Sequence, residues 1–156
     1  MNKQQLLIDG AFIAPSTNTW FESFTPFTGS PWTLIPRGGK DDVDLAVAAA
    51  KRAFTYGSDW RKMTATARGA LLRKFADLIT QNAGRLAEIE TTDNGKLFAE
   101  MRGQLNYIPQ WFHYFGGLAD KIEGRAIPID KPGVLNYTRE EPLGVIAAIT
   151  PWNSPL

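Results

Sequence analysis

Between Pro142 and Pro151 the chain carries Leu143-Gly-Val-Ile-Ala-Ala-Ile-Thr150, in which Val145 to Ile149 is apolar without a break. A half-buried helix would alternate in threes and fours, and a half-exposed strand in twos. A short unbroken apolar run bounded by turn residues suits a strand covered on both faces. Such strands belong to parallel sheets, so an α/β fold is expected. Ligands of open parallel sheets bind beyond the carboxyl ends of the strands, here the position of Pro151-Trp-Asn-Ser154. Asn153 is therefore the first candidate for chemistry. Asparagine also bonds its own backbone in turns, and spacing alone leaves turn-making and catalysis evenly matched. A parallel partner needs a crossover of a dozen or more residues. The sequence read ends at Leu156, so the neighbours of this strand are expected outside these residues.

Composition narrows the remaining choices. With 156 residues, 44% hydrophobic and 21% charged, the chain suits one ordinary globular core. A formal net charge of +1 with Lys and Arg scattered among Asp and Glu gives no footprint for nucleic acid or an anionic membrane. No segment has membrane-spanning length, and the first residues lack the apolar centre of a secretory signal. The chain has no cysteine, so no disulfide framework is expected, an intracellular, cytoplasmic location is the default, and no thiol nucleophile lies in these residues.

The first forty residues read as strand and turn. Leu6-Leu-Ile8 and Ala11-Phe-Ile13 flank Asp9-Gly10, a hairpin turn signal, and Trp20 to Ser23 and Trp32 to Ile35 flank a Pro- and Gly-containing loop. From Asp41 the period changes: Val43, Ala46, Val47, Ala50 and Phe54 fall on one helix face, with Asp41, Asp42 and Asp44 at the positive end of the dipole. Thr64 is placed to cap a second helix with an apolar stripe at Leu71, Leu72, Phe75, Leu78 and Ile79. Asn82 is placed to cap a third, with Leu86 and Ile89, ending at Asp93-Asn94-Gly95. A fourth spans about Leu97 to Lys121 with a kink or break expected at Pro109. Ile122 to Ile129 and Val134 to Glu140 form two extended arms about Asp130-Lys-Pro-Gly133. Such a hairpin suits pairing with another subunit or an ordinary sheet edge.

Other candidate sites carry less. Gly38-Gly39-Lys40 lacks the spacing of a phosphate loop. His113, the one histidine, lies among Trp111, Phe112, Tyr114 and Phe115 with no second His or Cys for zinc, and is expected to pack. A carboxylate beside a sharp turn, as in Asp93-Asn94-Gly95-Lys96, binds a cation or satisfies backbone donors, and alone favours the latter.

Together these stretches resemble the NAD(P)-dependent aldehyde dehydrogenases. The match rests first on Glu141-Pro-Leu-Gly-Val-Ile-Ala-Ala-Ile-Thr-Pro-Trp-Asn-Ser-Pro-Leu156. It is supported by Ile8-Asp-Gly10, Pro26-Phe-Thr-Gly29, Asp42-Val-Asp-Leu-Ala-Val-Ala-Ala-Ala-Lys-Arg-Ala-Phe54, Arg68 with Leu71-Leu72, and Glu90-Thr-Thr-Asp-Asn-Gly-Lys96. The resemblance implies the N-terminal part of that α/β fold: residues 1–121 in the cofactor-binding domain, an oligomerisation hairpin over 122–140, and over 141–156 the first strand of a Rossmann-like sheet with the catalytic turn. The catalytic domain, with its nucleophilic Cys and general-base Glu, lies outside this stretch of the family.

By the same resemblance Asn153 donates its side-chain N–H to the oxygen that becomes negative when a cysteine attacks an aldehyde. Loss of such a donor typically lowers turnover by about a hundred- to a thousandfold. Ile149, Thr150, Pro151 and Trp152 line the nicotinamide-ribose side of an NAD or NADP site, largely through backbone. Asp93, with backbone carbonyls near Ser23 and Phe24, matches a monovalent-cation site. Many members have Phe where this chain has Ser154, beside the aldehyde channel, which implies a more open or polar pocket. The implied function is NAD(P)-dependent oxidation of a small-molecule aldehyde to a carboxylate, in a dimer or tetramer built through the 122–140 hairpin. The alternative is a non-catalytic partner that joins catalytic subunits through that hairpin. In either case the segment alone is expected to be inactive.

Overall fold

A computed structural model describes all 156 residues, Met1–Leu156. The fold is mixed α/β. Five short strands, β1 (Asn2–Lys3), β2 (Leu6–Ile8), β3 (Ala11–Ile13), β4 (Trp20–Thr25) and β5 (Ser30–Pro36), precede the helices α1 (Lys40–Phe54), α2 (Asp59–Lys62), α3 (Ala65–Asn94) and α4 (Phe98–Leu118). β2 and β3 pair antiparallel across Asp9 and Gly10, whose φ values of 54° and 76° give the turn that matches strand twist. A second sheet has the order β1-β5-β4, with β1 parallel and β4 antiparallel to β5. Ser23 pairs with Thr33 and Phe24 with Pro31. Trp32 is thus the extra residue of a β-bulge, which bends β5 and re-aims side chains.

α1 begins where expected, but its contacts differ. Asp42 is buried, while Val43, Leu45 and Val47 on the same helix are 59%, 53% and 36% exposed. The carboxylate accepts from the Gly39 N–H at 2.8 Å, and from the Ser16 N–H at 2.9 Å and hydroxyl at 2.8 Å. It therefore closes the helix N-terminus and ties it to the segment after β3. These donors, the Gly39 amide foremost, hold the Asp42 carboxyl below its ordinary pKa against the opposing effect of desolvation.

Two expected helices are one. Thr64 caps α3, its hydroxyl accepting from the Ala67 N–H, but Asn82 caps nothing and donates its amide to the Leu78 carbonyl inside the helix. The helix continues because its buried face is continuous: Gly69, Ala76, Ile79, Ala83, Ala87 and Glu90 recur every three, four or seven residues. Of the stripe expected to be apolar, Leu71, Phe75 and Leu78 are exposed. Small residues take the seam instead, which lets α4 come close. Ile79, Ala83 and Ala87 pack there on Met101 and Leu105. Closest approach is at Gly69, where a Cβ would stand 2.3 Å from the Gly116 carbonyl oxygen and 3.2 Å from the Ala119 Cβ. α4 runs unbroken through Pro109, which is buried in the same seam. Packing along its length outweighs the hydrogen bond that proline cannot donate. His113 does not pack in this core; it lies on the exposed side of α4 with its Nε2 3.6 Å from Asp77 Oδ1.

Residues 121–140 are exposed throughout and form the expected hairpin. Its arms meet at the Ala126–Tyr137 bridge, with the Ile127 N–H donating to the Asn136 carbonyl and Thr138 to Arg125. The apolar run that follows differs from the doubly covered strand expected of it. Val145 to Thr150 makes no backbone hydrogen bond, and Ile149 is 95% exposed. A strand requires a paired neighbour, and none of β1–β5 pairs with it.

Candidate active-site turn

The last turn of α3 determines where the chain end sits. Gly95 terminates the helix at φ 76°, a left-handed position that favours glycine. Asn94 then folds over the cap, its Oδ1 accepting from the Lys96 N–H at 2.9 Å. Its Nδ2 donates to the Asn153 carbonyl at 3.3 Å and approaches the buried Met101 sulfur at 3.8 Å. Lys96 Nζ donates to Ser154 Oγ at 2.5 Å, and Glu90 Oε1 accepts from the Leu156 N–H at 3.4 Å. Residues 151–156 are thus seated on the helix end. The turn itself closes through Ser154 N–H to the Pro151 carbonyl.

Asn153 makes no side-chain hydrogen bond; only its carbonyl is engaged. The turn-making alternative requires the side chain to bond nearby backbone, and here it does not. Its amide is a neutral, unengaged donor on an exposed turn. Ile149, Thr150, Pro151 and Trp152 lead up to it, all exposed, and the indole of Trp152 is 82% open. A cleft of about 240 Å³ lies beneath, lined by Trp32, Glu90, Asp93, Asn94, Trp152 and Pro155 among others.

Asp93, Ser23 and the bulge come together at the other side of this cleft. Asp93 Oδ1 accepts from Ser23 Oγ at 2.5 Å and from Trp32 Nε1 at 3.1 Å, so the bulged tryptophan is aimed at the carboxylate. Phe24 follows Ser23 in β4 at the register shift. No three His, Cys, Asp or Glu side chains cluster as a metal site, and no helix is long and apolar enough to cross a membrane. Nothing in the sequence marks Trp32, Glu90, Asn94 or Lys96 individually for roles here. The only local signal was the helix-ending Asp93-Asn-Gly-Lys96 sequence, since the contacts join residues 58 to 70 positions apart.

Comparison with known proteins assigns the chain. The model of the aldehyde dehydrogenase family matches residues 12–156. The chain is 47% identical over its whole length to (Z)-2-((N-methylformamido)methylene)-5-hydroxybutyrolactone dehydrogenase of Acinetobacter baylyi, of which it covers 31%. It is 42% identical over 97% of its length to retinaldehyde dehydrogenase 3 of Rattus norvegicus, covering 30% of that protein. Among solved structures, betaine aldehyde dehydrogenase of Staphylococcus aureus, in complex with NAD+, superposes with a TM-score of 0.91 at 35% identity, covering 97% of this chain and 30% of that one. A crystal structure of a putative aldehyde dehydrogenase from Burkholderia cenocepacia gives 0.90 at 41% identity, with the same coverage. The chain therefore spans about a third of the length of these relatives, and it belongs to the aldehyde dehydrogenase family.

Proposed function

We propose that these residues serve the NAD(P)-dependent oxidation of a small-molecule aldehyde to a carboxylic acid, with Asn153 as an oxyanion donor. The observation that carries this is the unengaged side-chain amide of Asn153, a residue whose one hydrogen bond is made by its carbonyl. A neutral amide donates at every working pH. When fixed before the reaction, it stabilises a developing negative oxygen without first reorganising. The oxygen arises when a cysteine supplied by the catalytic domain of the family attacks the aldehyde carbonyl. That cysteine is not among these residues.

The exposed backbone of Ile149, Thr150, Pro151 and Trp152, free of pairing up to Thr150, suits contact with a dinucleotide through C=O groups and the N–H groups of all but Pro151. These residues would hold the nicotinamide side of NAD or NADP. When bound, the nicotinamide supplies the hydride acceptor. Asp93, with oxygens of Ser23 and Phe24, offers one negative charge and neutral donors, a set suited to a monovalent cation. The exposed apolar arms of the 122–140 hairpin, with Ile127 41% and Leu135 77% open, would pair subunits into a dimer or tetramer.

The test is Asn153→Ala in a polypeptide that carries this segment together with the catalytic cysteine and glutamate of the family. Turnover is expected to fall by about a hundred- to a thousandfold with folding intact. Unchanged turnover removes the oxyanion role.

A further inference from the structure

Three hydrogen bonds from one helix end grip the turn that carries Asn153. Asn94 holds the Asn153 carbonyl, Lys96 holds the Ser154 hydroxyl, and Glu90 holds the Leu156 amide. Apart from these, the hydrogen bonding of residues 151–156 consists of the turn's own Ser154 to Pro151 contact at 3.4 Å. We propose that the capped end of α3 is a clamp for this turn, and that Asn94 and Lys96 are positioning residues for the Asn153 amide. The proposal rests on the oxyanion role of Asn153.

The clamp is itself constrained. Asn94 cannot rotate freely, because its Oδ1 receives the Lys96 N–H while its Nδ2 faces the Asn153 carbonyl and the fully buried Met101 sulfur. The Oδ1 and Nδ2 positions are distinguished by these partners. Between the two residues Gly95 adopts its positive φ, and a Cβ there would stand 3.1 Å from Pro26, so the strand-connecting loop presses on the cap. Lys96 has no carboxylate within ion-pair reach. Its ammonium is committed to Ser154 by a charge-assisted bond. Both grips act on atoms other than the Asn153 side chain, so they hold the turn and leave the amide free to donate. An oxyanion donor is useful only when its position is set before the reaction, and small misplacement is costly.

The test uses a polypeptide that carries this segment with the rest of the catalytic machinery. Asn94→Asp keeps the acceptor for the Lys96 N–H but sets an oxygen against the Asn153 carbonyl. Lys96→Met removes the donor to Ser154, and Lys96→Arg retains one. Asn94→Asp and Lys96→Met are expected to lower kcat by about ten- to a hundredfold, with the aldehyde KM little changed, and to speed amide hydrogen exchange over residues 151–156; Lys96→Arg restores most of both. In the double variant, Asn94→Asp is expected to add little to the loss already caused by Asn153→Ala, because the first acts through the second. Losses that multiply in the double variant, or exchange over 151–156 equal to the parent in both Asn94→Asp and Lys96→Met, overturn the clamp. Should Asn153→Ala leave turnover unchanged, the oxyanion reading fails, while hydrogen exchange still decides whether the clamp exists.

Discussion

Gly69 and Gly116 touch backbone to backbone: a Cβ on Gly69 would stand 2.3 Å from the Gly116 carbonyl oxygen, which already accepts from Arg73 Nη1 at 2.9 Å. No side-chain rotation relieves a clash with backbone. Gly69→Ala is expected to force α3 and α4 apart at the cost of about 1–3 kcal/mol. Chemical denaturation of parent and variant reads this directly, and equal midpoints would mean that the helices yield there freely.

Asp42 couples stability to acid. Its folded pKa is lowered by donors from Gly39 and Ser16, whereas an unfolded aspartate titrates at about 3.9. Its contribution is fully present above that unfolded value and is lost as pH falls through the lowered folded one. Asp42→Asn is expected to be less stable than the parent at neutral pH, with a flatter decline in stability below about pH 4. Denaturation midpoints measured across that range check the sign.

Alone, the 156 residues are expected to form no NAD(P)H with any aldehyde, and to associate in solution. Only 13 of 156 residues are buried, while Ile146 and Ile149 are 69% and 95% exposed. Exposed apolar surface and unpaired backbone groups favour association. A monodisperse monomer by light scattering, or aldehyde-dependent absorbance of the reduced cofactor, would contradict this.

Ile127→Asp with Leu135→Asp places charge on both arms of the exposed hairpin. In a polypeptide that carries this segment, the particle mass is expected to fall toward that of one chain, since buried unpaired charge opposes association. Unchanged mass would place the subunit contact elsewhere.

Asp93→Asn removes the carboxylate that accepts from Ser23 and Trp32. Replacing potassium or sodium chloride with tetramethylammonium chloride is expected to lower the thermal midpoint of the parent and not of the variant, because an ion bound to the native state stabilises it by mass action. Equal responses would show that the carboxylate serves its hydrogen bonds alone.

What the sequence conveyed was mostly local. Asp9-Gly10 made the first hairpin readable, and Thr64 and Gly95 marked the true ends of α3. Asn82 misled because asparagine serves equally as a cap or as a donor to the preceding turn, and only the seam against α4 chooses between them. Pro109 misled for a similar reason: a helix held along its length tolerates a defect that would break a free one. The apolar periodicity of α1 and α3 matched burial only in part: Ile79 is buried and Ala50, Phe54 and Leu72 are half-buried, but Val43, Ala46, Val47, Leu71, Phe75 and Leu78 are exposed, because a large side chain marks burial without naming what covers it. At the candidate site, the sequence singles out Asn153 as a candidate by its place after an apolar run. Its grips were not readable, since Asn94 and Lys96 lie 59 and 58 positions from the residues they hold.

α3 has 30 residues and is therefore about 45 Å long. Its first turns press on Gly116 and Ala119, at the root of the projecting hairpin, and its last turn grips the Asn153 turn. One helix thus joins the arm through which subunits would meet to the donor that would face the substrate. The close fit of Gly69 on Gly116 at one end, and the packing of Ile79, Ala83 and Ala87 on Met101 and Leu105 further along, hold α3 against α4, so the helix that grips the Asn153 turn is itself anchored along its length.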